Sequence, residues 1–187
     1  MARARGILAF LFAAAITLNA QVRELDPARS SFTVRVFKSG LFSAFAHNHE
    51  IRAPLAAGTI QDESSVELSV DARQLRVLDP DRPEKERAEV QQAMLGPAVL
   101  DSARFPQIHF RSTAVESVGN GKWRVRGDLS LHGQTRPLSL LVGLVDGAYR
   151  GSVTLRQTEF AITPVRIGGG TVKVKDELRI EFVLYPR

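Results

Sequence analysis

The chain has 187 residues, 44% of them hydrophobic, a formal net charge of +5 and no cysteine. That length suits one domain with a sizeable core. Without cysteine there is no disulfide framework, thiolate nucleophile, Cys-ligated metal or acyl anchor on cysteine, so packing must supply the stability.

The first residues, Met1 to Arg5, carry two arginines; an apolar run from Ile7 to Ile16 follows, and then Thr17-Leu18-Asn19-Ala20. Charged start, short apolar run and small residue read as a secretory signal cleaved after Ala20, with a mature domain over 21–187 in the periplasm or outside the cell. The apolar run is about half the ~20 residues that a bilayer-spanning helix needs. Loss of Arg3 and Arg5 lowers the charge from +5 to +3. The remaining basic residues are scattered, with no aromatic-interleaved stripe that would track phosphates, so nucleic acid is not an expected partner.

Phe32, Val34 and Val36 then alternate with Ser31, Thr33 and Arg35, the period of a strand with one dry face. After them Phe37, Leu41, Phe42 and Phe45 gather around Gly40. In a soluble barrel such a cluster either plugs one end or forms an apolar portal. His47 and His49 come next, and residues two apart on an extended strand share a face. The two imidazoles can face a divalent metal together, with a third ligand drawn from Glu50, His109 or His132; alternatively they line the barrel mouth or join a polar cluster.

A strand is expected in the Glu50 to Ile60 region, and Val66, Leu68 and Val70 mark another. From Asp79 to Gln92 the charge density rises around a narrow stripe of Ala88, Val90, Ala93, Met94 and Leu95. Asp79 or Asp81 as cap and Pro80 or Pro83 in the first turn predict one amphipathic helix, lying on the barrel or across its mouth. Gly96-Pro97 stops it, Phe105-Pro106 makes a corner, and Ile108 and Phe110 open the next strand. Alternation returns at Trp123, Val125, Leu129 and Leu131, at Leu138 to Leu144, at Val153 and Leu155, and at Ile180, Phe182 and Leu184. Asn120-Gly121, Gly133-Gln134 and Asp146-Gly147 separate these runs as hairpin turns. The total is about eight strands in one closed or nearly closed domain.

Period-two alternation leaves open whether the apolar face points inward or into lipid. An outer-membrane barrel carries aromatic girdles at two interfaces, whereas this chain has one Trp and two Tyr. No Gly-x-Ser-x-Gly elbow is present, and Gly168-Gly169-Gly170 lacks the Lys-Ser/Thr of a phosphate loop, which makes it a flexible turn. Binding, not catalysis, is the expectation.

Several segments resemble the YceI-like, polyisoprenoid-binding family of lipocalin-like periplasmic proteins. They are Leu25-Asp26-Pro27 with Ser31 to Val34, Ser65 to Asp71, Met94 to Ser112, Gly127 to Gly133 followed by Thr135-Arg136-Pro137-Leu138, and Arg156 to Ile162. The resemblance implies an all-β, eight-stranded antiparallel barrel with one short helical insertion. It also implies an apolar tunnel holding an isoprenoid quinone or polyprenyl lipid for transport, storage or stress response. By position the lining is Phe32, Val34, Val36, Leu68, Val70, Phe110, Leu129, Leu140, Val142, Phe160 and Phe182, with Phe42 and Phe45 at its entrance. Transient contact with a membrane surface and a homodimer are compatible with such a carrier. The alternative is a periplasmic metal-binding or stress-related barrel centred on His47 and His49.

Overall fold

A computed structural model of the chain describes residues 21–39, 48–61, 64–167 and 172–187. The leader, Phe42, Phe45, His47 and the Gly168-Gly169-Gly170 turn lie outside the described residues.

Alternation becomes a single antiparallel sheet. Its strands are β1 (Val22–Glu24), β2 (Ser31–Ser39), β3 (His49–Pro54), β4 (Ala57–Gln61), β5 (Ser65–Asp71) and β6 (Arg76–Val77). After the helix α1 (Glu84–Leu95) come β7 (Gln107–Gly119), β8 (Lys122–Leu131), β9 (Gln134–Val145), β10 (Ala148–Arg156), β11 (Arg166–Ile167) and β12 (Val172–Leu184). Neighbours run β1-β4-β5-β7-β8-β9-β10-β12-β2-β3-β6, with β11 on β12.

Twelve strands among the described residues replace the eight expected, and the surplus has a local cause. β1, β6 and β11 are two or three residues long, too short for alternation to show. The single strand expected between Glu50 and Ile60 is broken at Leu55-Ala56, after Pro54. This corner closes the architecture. β3 pairs with β2 and β6, whereas β4 pairs with β1 and β5, so the chain steps from one end of the curled sheet to the other within a few residues. No ladder joins β3 to β5; Ile51, Ala53, Val70, Leu75 and Met94 pack across that seam instead. At one end of the barrel Leu25 bridges Pro186 and the Arg187 N–H donates to the Glu24 carbonyl at 2.9 Å, tying the first strand to the last.

Three tight turns have both central residues at positive φ: Asn120-Gly121 (53° and 65°), His132-Gly133 (50° and 71°) and Asp146-Gly147 (51° and 72°). Such mirror-image turns match the right-handed twist of the strands they join. The second of them sits one residue earlier than the Gly133-Gln134 expected.

Helix α1 starts five residues later than Asp79, and its first turn is preceded by Pro83 without any side-chain cap. Asp79 is not a cap. It is 7% exposed, accepts the Glu50 N–H at 2.8 Å and faces Nδ1 of His49 at 2.6 Å. Gln91 fastens the helix to the sheet edge by accepting the Val77 N–H and donating to the Leu75 carbonyl, both at 2.8 Å. Gly96 ends the helix, as Gly96-Pro97 predicted.

One glycine of the Gly127-to-Gly133 segment has a steric task. A Cβ at Gly127 would run into the Arg111 carbonyl oxygen and lie 2.6 Å from Cζ of Phe110, so the phenyl ring sits over a position that only hydrogen can occupy.

Candidate functional site

The barrel interior is not filled. A cavity of about 370 Å³ runs inside it. The eleven interior residues named from the sequence that fall among the described residues all line it, from Phe32, Val34 and Val36 on β2 to Phe182 on β12. Val34, Leu68, Leu140, Val142 and Val153 face inward yet are only half-buried. In a close-packed core neighbours would cover such side chains; here the uncovered part faces the cavity. Phe160 reaches it from a 3₁₀ turn (Gln157–Phe160) and is 2% exposed, so it stoppers the wall.

One end is closed by Leu25, Leu184, Tyr149 and Trp123, all buried. The two large rings meet edge to face, with centroids 5.8 Å apart. Tyr149 Oη accepts from Arg23 at 3.4 Å, while Nε1 of Trp123 is buried without a partner. At the other end lie the few polar lining groups, His49, Arg156 and Gln157, beside the start of β3 and the end of β10. Gln157 is buried and donates to the Lys175 carbonyl at 2.8 Å. The same turn is pinned by Thr158, whose N–H and Oγ1 both donate to Asp176. Burial raises the Asp176 carboxyl, but these hydrogen bonds and nearby Arg156 outweigh it and hold it below the usual carboxylate range.

Among the described residues the candidate metal ligands stand apart. His49 is held by Asp79. Glu50 points to the other face of β3 and pairs with Arg35 at 2.6 Å. His109 meets Glu67 at 3.0 Å on an exposed surface, and Nδ1 of His132 lies 3.0 Å from the Phe160 carbonyl oxygen in a hairpin turn. Among the described residues no three metal-ligating side chains gather.

Further lining comes from strand residues such as Ile51, Val115, Val125, Val153 and Leu155, and from Val90, Ala93 and Met94 of α1. The strand residues follow the same period-two rule as those named from the sequence. The helical ones carried only a narrow apolar stripe, which does not say which part of a barrel it covers.

A curled antiparallel sheet around an apolar cavity, with His49, Arg156 and Gln157 at one end, defines a lipocalin-like binding fold. The chain belongs to the YceI-like family: the model of the YceI-like domain matches residues 24–185. A UPF0312 protein of Vibrio cholerae is 28% identical over 130 residues, covering 64% of this chain and 63% of that protein's length. Two solved structures share the fold. Burkholderia cenocepacia BcnA has a TM-score of 0.60 at 18% identity, over 86% of this chain and 98% of its own. A polyisoprenoid binding domain from Saccharophagus degradans has a TM-score of 0.61 at 13% identity, over 90% and 99%.

Proposed function

We propose that the protein is an exported carrier that holds an isoprenoid or similar long apolar lipid, such as a quinone tail, inside the barrel. The observation that carries the reading is the cavity itself: inward side chains from nine strands, the helix and the 3₁₀ turn, nearly all apolar, leave a space that folding alone would have filled. His49, Arg156 and Gln157 lie together at one end of an otherwise nearly apolar lining, which suits a ligand with a long apolar body. The name of the Saccharophagus degradans neighbour supports the isoprenoid class. The charged, apolar and small-residue order of 1–20 supports export to the periplasm or beyond.

Delipidated protein, titrated with a fluorescent polyprenyl probe, tests the proposal. Wild type should bind, and Leu140→Trp, which places an indole in the cavity, should weaken binding by tenfold or more while leaving stability near that of wild type. A wild type that binds no apolar chain of any length defeats the carrier reading.

A further inference from the structure

Six large aliphatic side chains are exposed among the described residues, and four of them, Val118, Leu141, Leu144 and Val145, sit towards the tips of two neighbouring hairpins. Each of the four is 45% to 55% exposed. The Leu144 N–H donates to the Gly121 carbonyl at 2.9 Å, which sets the Asn120-Gly121 turn, and with it Val118, beside the end of β9. On β9 itself Leu140 and Val142 line the cavity, so Leu141, Gly143 and Val145 look outward as an uncharged stripe. A Cβ on Gly143 would meet only Cγ of Lys122, at 3.9 Å, so the middle of the stripe is open.

Cations flank it on both sides. Lys122 of β8 and Arg150 of β10 stand opposite Gly143, and Arg124 of β8 stands opposite Leu141. None of these three side chains has a hydrogen bond or ion pair among the described residues. The acid opposite Arg124 on β7, Glu116, is taken by Arg126, which leaves Asp146 in the turn after Val145 as the stripe's own acid. Three cations against one carboxylate leave a surplus of two positive charges.

Isolated exposed aliphatics are ordinary, but a contiguous group rimmed by charge marks a docking surface. Protein interfaces anchor on Tyr, Trp or Phe set into pockets, whereas the large hydrophobics exposed here are all valine and leucine. Short aliphatic side chains flanked by Lys and Arg match the boundary of an anionic bilayer, where the aliphatics enter the acyl region and the long cationic stems reach the lipid phosphates. We propose that the outer face of the β7–β8 and β9–β10 hairpin tips docks reversibly on an anionic lipid bilayer. The inference stands whatever the cavity holds.

The chain has no cysteine, so a single introduced one carries a label at one place. Full-length Val145→Cys, in the stripe, and Ala88→Cys, on the exposed side of α1, should each carry an environment-sensitive fluorophore. The probes are vesicles of equimolar phosphatidylcholine and phosphatidylglycerol, and vesicles of phosphatidylcholine alone. On the anionic vesicles the Val145 label should shift to the blue and the Ala88 label should not; on the neutral vesicles the two should behave alike. An apolar leader would bring any part of the chain to a vesicle, so the contrast between the labels is the readout. Lys122→Gln/Arg124→Gln in the Val145→Cys background should weaken partitioning about fivefold for each cation removed. Far-UV circular dichroism is the folding control, and if the double variant unfolds, Arg124→Gln alone carries the comparison. Equal shifts of the two labels on anionic vesicles, no shift of either, a contrast that persists on neutral vesicles, or partitioning that ignores the lost cations overturns the inference. So does a Val145 shift that grows with protein concentration in the absence of lipid, which would make the stripe a contact between two copies of the chain.

Discussion

Replacing Gly127 by alanine should destabilise the barrel by about 1–3 kcal/mol, the usual cost of forcing extra volume into a packed position. The added Cβ would meet a backbone oxygen, Arg111 O, which cannot rotate away, and the Phe110 ring at 2.6 and 2.8 Å, which can. Relief therefore requires β8 to lift from β7 or the ring to swing into the cavity. For a chain of this size each kcal/mol lowers the melting temperature by about 2–4 °C, so a drop of roughly 2–12 °C is expected in far-UV circular dichroism. Gly143→Ala is the control. There a Cβ meets nothing closer than Cγ of Lys122 at 3.9 Å, and the backbone angle is one that alanine adopts. That change should be neutral or stabilise by up to ~1 kcal/mol through the unfolded chain. Because the displaced ring would occupy cavity space, Gly127→Ala should also weaken binding of a polyprenyl probe, and Gly143→Ala should not. A Gly127→Ala protein that melts with wild type and binds equally well would refute the argument that the Phe110 ring depends on the glycine beneath it.

Asp79→Ala leaves the buried Glu50 N–H without its acceptor and frees His49, so chemical denaturation should report a loss of about 1–3 kcal/mol; a loss below ~0.5 kcal/mol would contradict the assigned hydrogen bonds. The Asp176 carboxyl is held below its ordinary value of 3.8, so its stabilising contribution is present above that pH and fades as the pH falls through the depressed folded value. Thr158→Val removes the Oγ1 donor, and an NMR titration of the Asp176 side-chain carbon should show its midpoint rise; an unchanged midpoint would assign the shift elsewhere. Zn²⁺ calorimetry should give at most weak heats, since the described histidines stand apart. Tight binding that vanishes in His47→Ala/His49→Ala would support the metal reading.

Local order was legible in the residues. Alternation at Phe32-Val34-Val36, at Leu68-Val70 and at Leu140-Val142 names the inward set because a strand has one period and its two faces cannot be exchanged without inverting every side chain. Asn120-Gly121 and Asp146-Gly147 name their turns because few residues tolerate positive φ. Gly96-Pro97 ends the helix for similarly local reasons. Tertiary structure decided what depends on distant partners. Asp79 reads as a helix cap in sequence, and becomes a buried acceptor for β3 only because Leu78 to Asp79 is laid against Glu50. Phe160 reads only as a lining residue, and a turn held to Asp176 is what aims it at the cavity. Whether alternating apolar faces close on one another or enclose a space is a matter of sheet curvature and of the glycines beneath Phe110 and Phe182. A sequence pattern records which face of each strand is apolar, whereas the distance between facing strands is set only when all of them are assembled.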